Sequence, residues 1–418
     1  MALPKAWRST LALGLLVLGS AALAQESAPA ATEASDSQTS SSASSFWNDH
    51  FALHGYLTLA YADAELVVGP ELLTADEVML GIEEDGSFPY GNAAVNLRFD
   101  PSPRHSFTLQ VAAAELGASP IDDFQGELEL DWLFYQAELT DRTWLRLGRH
   151  PVPAGLFNEV RDVGVILPFF RPSYVFYREG SLLTETVDGI ALTHQSFAER
   201  PWGLEATVYY GEFDVLQQGL GFFNEVAEEE AEDAIGTQLW ISSPIESLRF
   251  GVGASQWDLN DPNPSIGSDE SEWKSWHASA EYLTDRWTLR SEYRRIKADF
   301  FVGGGPLLGA HSHNYYIQVG ARISPRVSVY VQPERSDVEQ VGPIYAAVEK
   351  FRDLQDVGFS LVFEATPNLV FKAEYHDVET EIGVATEVVP GGPFGFQQRS
   401  IFDTFNSSYS IASVSLSF

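Results

Sequence analysis

From Ala52 onward, apolar and polar positions repeat every two residues rather than every 3.6, the period of a strand with one face in each of two environments. Leu53, Gly55, Leu57, Leu59 and Tyr61 alternate with His54, Tyr56, Thr58 and Ala60. Ala93, Val95, Leu97 and Phe99 alternate with Asn92, Asn96 and Arg98, and Phe107, Leu109, Val111 and Ala113 with Thr108 and Gln110. The last strand does the same: Ser410, Ala412, Val414, Leu416 and Phe418 share one face, and Ser413, Ser415 and Ser417 the other. Short connections rich in turn formers fall at 100–105, 140–142, 196–202, 243–246, 284–285, 324–325 and 364–367. Between them lie longer segments at 61–91, 116–126, 150–186, 212–234, 258–272, 297–312, 334–352 and 379–408. Seven short and eight long connections enclose sixteen strands, each expected to run roughly ten residues, the length that crosses a bilayer at a tilt. A soluble sandwich has no reason to place every long connection at one end. The pattern therefore predicts an all-β fold, a 16-stranded antiparallel transmembrane β-barrel occupying 47–418.

The N-terminus differs from the rest. Lys5 and Arg8 precede an apolar run, Leu11 to Leu18, and Ala22-Leu23-Ala24 offers a small-x-small cleavage site. These features predict a signal peptide over 1–24. Residues 25–46 are rich in Ser, Ala and Thr with little to bury, and read as a disordered spacer. The chain has no Cys, which excludes disulfides and thiolate metal sites. With 59 Asp and Glu against 25 Lys and Arg, the formal net charge of −34 argues against a nucleic-acid partner. Aromatic residues make up 13% of the chain, in keeping with girdles at two membrane interfaces.

One stretch departs from both the alternation and the acidic balance. Trp144 to Tyr177 begins as a strand and breaks at Pro151 and Pro153, with Gly155, Gly164, Pro168 and Pro172 keeping it irregular. Between Arg142 and Arg178, six arginines (142, 146, 149, 161, 171 and 178) stand against Glu159 and Asp162, a local excess of +4. A long basic loop between strands predicts a segment that folds into the barrel mouth and narrows it.

The run Gly148-Arg149-His150-Pro151, then Pro153-x-Gly155-Leu156-Phe157-Asn158-Glu159-x-Arg161-Asp162-Val163 with Arg171-Pro172-Ser173, resembles a proteobacterial outer-membrane porin family. The strand count, the long loop after the fifth strand and the terminal SYSIASVSLSF are similar to the same porins. The resemblance implies a trimeric, water-filled channel in the Gram-negative outer membrane, among lipid and lipopolysaccharide, with its third loop bent inward. It implies neither a cofactor nor a catalytic group, and it does not supply a solute.

A pore needs a width and a set of charges. The candidate constriction comprises Arg149, Glu159, Arg161, Asp162, Arg171 and Arg178. Alternation points Arg98, Arg146, Arg290, Glu292, Arg294, Arg322, Lys372 and Glu374 into the lumen, because an arginine on the lipid face costs about 2–4 kcal/mol at mid-depth. Two readings of the loop arginines are open at this stage. Either they form an eyelet, in a channel for passive diffusion of small hydrophilic solutes or, alternatively, in a substrate-specific porin for phosphate, sulfate or carboxylate anions, or Glu159, Arg161 and Asp162 are an ion-pair network pinning the loop to the wall, with Arg171 a structural anchor. The eight acids of 212–233 read as a solvated charge run or as a bridge through divalent cations to lipopolysaccharide phosphates. His311-Ser312-His313 has no partner at a ligand spacing, so no metal site is expected. His277 and Ser279 lack any nucleophile motif, and an enzyme is not expected.

Overall fold

The computed structural model describes residues 50–66, 81–82, 86–117, 119, 126–177, 185–196, 202–218, 226–260, 268–343, 345, 348–391 and 396–418. The expected signal peptide, the spacer and Arg178 lie outside the described residues. The first strands are β1 (Phe51–Leu66), β2 (Ser87–Ser102), β3 (His105–Leu116), β4 (Glu129–Thr140) and β5 (Thr143–Pro151). There follow β6 (Thr186–Ser196), β7 (Gly203–Gln218), β8 (Val226–Ser242), β9 (Leu248–Leu259), β10 (Glu270–Leu283) and β11 (Trp287–Val302). The last are β12 (Gly305–Ser324), β13 (Val327–Val341), β14 (Glu349–Thr366), β15 (Leu369–Pro390) and β16 (Phe396–Ser417).

Each strand pairs antiparallel with its chain neighbours, and β1 pairs with β16, so the sheet closes on itself. Gly55 N–H donates to the Phe418 carbonyl at 3.2 Å and Phe418 N–H returns the bond at 3.1 Å. The terminal aromatic residue thus completes the closure of the wall.

Over the middle of the wall, the outward face is apolar. Leu147, Ile190, Val252, Ile317 and Leu361 are exposed there. Phe250, Trp287, Phe363 and Phe371 stand outward near the short turns, and Tyr210, Trp276, Tyr315 and Tyr375 stand outward nearer the opposite end. The inward positions of the same strands are polar and buried: Gln238, Glu292, Arg294, Gln318 and Lys372. An apolar outside and a polar inside invert the arrangement of a water-soluble protein and match one solvated by lipid.

Further from the short turns, the alternation keeps its period and reverses its sign. On β11, Trp287, Leu289 and Tyr293 face out while Arg290, Glu292 and Arg294 face in. Beyond them Ile296, Ala298 and Phe300 face in and are buried, and Arg295, Lys297 and Asp299 face out. Inside this upper part, Trp257 and Trp273 stack at 6.1 Å, with Phe213 and Phe300 edge-on to them. The ladder therefore rises past the lipid into water, where an apolar interior and a charged exterior are again the favourable arrangement.

This reversal corrects the expected strand length. The strands run from 9 to 22 residues, and much of 212–234, 297–312, 334–352 and 379–408 is strand rather than loop. Antiparallel pairing does not stop where the bilayer stops. The segment 297–312 is a hairpin whose turn is Gly303-Gly304, with φ of +56° and +74°. Two consecutive positive φ values define the tight turn that glycine alone adopts freely.

Candidate functional site

Among the described residues, the connection from β5 to β6 is the one built to reach across the barrel. The ladder ends with the Val152 N–H donating to the Glu185 carbonyl at 2.9 Å, and Pro153, which has no N–H, cannot extend it. Asn158–Val160 form a 3-10 turn and Tyr174–Tyr177 one helical turn. The Asn158 amide donates to the carbonyls of Val152 at 2.9 Å and Glu185 at 3.1 Å, tying the two ends of the segment together. Gly155 has φ +65°, and a Cβ there would lie 2.4 Å from Tyr177 Oη and 2.8 Å from Glu292 Oε1. Only glycine lets the backbone pass so close to the wall.

The segment makes its contacts with inward-facing side chains from both sides of the barrel. Glu292 accepts hydrogen bonds from the Leu156 N–H at 3.0 Å, Ser279 Oγ at 2.5 Å, Tyr316 Oη at 2.7 Å and the Tyr177 hydroxyl. Burial and this carboxyl hold the Tyr177 hydroxyl far above its ordinary pKa, so it remains a donor. Arg294 donates to the Phe176 carbonyl at 3.0 Å, and Lys372 to that of Phe169 at 2.8 Å. Ser360 Oγ donates to the Pro168 carbonyl at 2.6 Å, and Ser173 Oγ to Glu334 at 2.5 Å. Across the lumen, the Asn92 amide reaches the Asp162 carbonyl at 3.4 Å, and a Cβ at Gly164 would lie 2.4 Å from Thr58 Oγ1.

The candidate residues fall into three groups. Glu292, Arg294, Lys372 and Glu374 face inward and are buried beneath the segment, with the Glu374 carboxylate 3.6 Å from His376. Arg98, Arg146, Arg290 and Arg322 face inward and are held by acids or amides: Arg98 by Asp100 at 2.8 Å, Arg290 by Glu281 at 2.7 Å and Arg322 near Glu364 at 3.6 Å. On the segment, Glu159 pairs with Arg146 at 3.0 Å, Asp162 meets Asn92, and the Arg171 guanidinium lies over Phe170 at 5.9 Å.

Two placements are corrected. Arg149 shares the outward strand face with Leu147 and pairs with its cross-strand neighbour Asp188 at 2.6 Å, so it does not stand at the base of the loop inside the barrel. Arg146 and Arg149 are three residues apart, so the alternation that turns Arg146 inward turns Arg149 outward, and Gly148 takes φ +113° without breaking the pairing. Arg161 is 4% exposed and donates to the Tyr177 carbonyl at 2.8 Å and to Asn158 Oδ1 at 3.4 Å, so it lies enclosed within the segment, tying its two limbs to each other, and does not line an eyelet. The carbonyl is on the far limb of the same segment, which sequence spacing does not reveal. His277 and Ser279 are each engaged elsewhere, with Gln238 at 2.6 Å and with Glu292. His311 and His313 lie on β12, His313 against the Tyr293 hydroxyl at 2.8 Å.

Because the segment packs against β10 to β15, free space remains on the other side. A cavity of about 850 Å³ lies between 153–160 and the inner face of β4 to β9. A second, of about 350 Å³, opens toward the short-turn end and shares Gln136 and Trp144 with the first. Trp144, Glu205, Trp240 and Arg249, which line the larger cavity, were not singled out from sequence. Alternation with Arg146 and Gln238 would have pointed inward for each of Trp144 and Trp240.

A closed wall that is apolar outside, polar inside and crossed by its own loop defines a β-barrel of the integral outer-membrane type. The solved structures similar to it are of that type. OmpT of Vibrio cholerae matches with a TM-score of 0.53 at 11% identity, covering 88% of this chain and 98% of its own. The anion-selective porin from Comamonas acidovorans matches at 0.52 and 11%, covering 88% of this chain and 99% of its own. OmpF of Salmonella typhi, in a complex with daunomycin, matches at 0.53 and 11%, covering 89% and 99%. At this identity the likeness is one of fold. No protein-family profile matches the sequence, and no curated protein does.

Proposed function

We propose that the chain is an outer-membrane porin that lets small hydrophilic solutes diffuse through a water-filled lumen narrowed by the 151–186 loop. The observation that carries this reading is the free, polar-lined space left beside a loop that is itself tied to the inner wall. A barrel serving only as an anchor needs no such space. The arginine-lined constriction of the sequence reading moves in this proposal from the loop to the wall, where Arg146 and Arg249 border the space beside the loop limb 153–160 and the Arg290 guanidinium lies over the Phe157 ring at 5.0 Å. Each of the three is paired with a carboxylate, which weighs against an anion-specific pore. The trimer implied by the porin resemblance belongs to the same proposal. Planar-bilayer recording of the purified protein tests the channel, with stepwise conductance expected; its native mass in detergent tests the trimer. A protein that inserts and passes no current overturns the proposal.

A further inference from the structure

We infer that the larger cavity is a binding subsite for neutral polyhydroxylated solutes, short saccharides in chemical class, with Trp144 its specificity-determining side chain. The inference rests on the channel reading above.

The charges facing the cavity come in equal numbers, Arg146 and Arg249 against Glu159 and Glu205. They are also engaged. Arg146 bonds Glu159 at 3.0 Å and Gln136 at 3.0 Å, and Arg249 bonds Glu281 at 2.8 Å. Glu205 accepts from Gln195 at 2.6 Å. A lining with as many positive as negative groups carries no net charge and so favours neither an anion nor a cation by its overall field. It still offers planar donor and acceptor groups side by side, the arrangement that adjacent hydroxyls can satisfy. The volume of about 850 Å³ lies within the roughly 300–1,000 Å³ of sites that hold one small organic molecule.

The aromatic groups decide between a saccharide and a merely polar solute. Trp240 lies flat against the wall, where a Cβ at Gly251 would meet its ring at 2.6 Å, and the Arg249 guanidinium stacks over it at 4.6 Å. Trp144 lines both cavities, so a solute moving toward the short-turn mouth passes along it. An indole presented to a polar passage contributes little to ion flow. It does bind the apolar C–H face of a sugar ring while amides and carboxylates take the hydroxyls.

The test is block of single-channel current by maltotriose in potassium chloride. A saturable, concentration-dependent block is expected for the native protein. Trp144→Ala should weaken it by about three- to tenfold, the amount one aromatic contact supplies. Trp144→Phe should restore most of the block, and Trp276→Phe on the outer face should leave it unchanged. Phosphate at the same concentration should not compete. A conducting channel that maltotriose does not block, or one that Trp144→Ala leaves equally blocked, overturns this inference and leaves the porin reading standing. Absence of any conductance overturns the porin reading and the subsite with it.

Discussion

Glu292 Oε1 lies 3.0 Å from the Leu156 amide nitrogen, a hydrogen bond between groups 136 residues apart that fixes a loop to the opposite wall of the barrel. The same carboxyl takes Ser279, Tyr177 and Tyr316, and it is 1% exposed. The loop is therefore held by a saturated acceptor in a region with little water to replace it.

Glu292→Leu removes the acceptor and strands its donors. Each buried donor left unsatisfied costs about 1–3 kcal/mol, so a large loss of stability against urea in phospholipid vesicles is expected. Single-channel noise should rise as the 153–177 limb comes free. Glu292→Gln keeps an acceptor for Leu156, and the tyrosine hydroxyls can turn to accept from its amide, so its loss should be much smaller. Equal losses for the two variants would show that the hydrogen bonds do not hold the loop.

Ion selectivity should depend on the wall arginines and not on the buried loop arginine. Removing one unit charge roughly 8 Å from an ion path in water changes the local energy by about 0.5 kcal/mol, near twofold in ion concentration. Cations gain and anions lose by that factor, so Arg146→Ala and Arg249→Ala, which border the cavity, are each expected to shift the permeability ratio toward cations by about its square, roughly fivefold. Arg161→Ala should lower stability and leave the ratio close to its native value, because the guanidinium is enclosed. Reversal potentials in a salt gradient read the ratio directly, and a larger shift for Arg161→Ala than for Arg146→Ala would reverse this assignment.

The reversal of polarity along the strands makes a depth-dependent prediction. Ile317 faces outward within the apolar belt and is 52% exposed, whereas Asp299 faces outward above it. Ile317→Arg is expected to cost about 2–4 kcal/mol in lipid. Asp299→Arg should cost well under 1 kcal/mol, since both faces of that exchange meet water and the loss is one surface pair with Lys297. Unfolding of the two variants in vesicles checks the boundary, which moves upward if Asp299→Arg proves as costly as Ile317→Arg.

How far these features could be read beforehand follows from which forces act locally. The period of two and the sixteen strands are written into alternation and turn residues, which are short-range. Glu292, Arg294 and Lys372 were placed inside by the same rule. The extents of the strands were not legible, because the bilayer sets where a lipid-facing pattern ends but not where pairing ends; Ile296 and Phe300 continue the ladder with their faces exchanged. The loop partners were hidden for a different reason. Arg161 answers to the carbonyl of Tyr177, and Ser173 to Glu334, contacts fixed by the path of an irregular segment that no period describes.

That path can be tested by covalent capture. The chain contains no Cys, so two introduced thiols would be the only pair present. A Cβ built at Gly164 lies 3.0 Å from the Ser415 Cβ and 2.3 Å from its hydroxyl oxygen. Disulfides need Cβ atoms about 3.5–4.5 Å apart, a separation that the segment reaches by moving a few tenths of an ångström. Gly164→Cys with Ser415→Cys should therefore oxidise to a loop-to-β16 cross-link, seen as a mobility change of the unheated protein that reductant reverses. Because Ser415 faces inward, a thiol there can meet the loop only inside the barrel. Gly164→Cys with Leu416→Cys, whose side chain faces lipid, should give no cross-link. If the second pair forms and the first does not, the 151–186 segment lies outside the lumen and the constriction it is proposed to make does not exist.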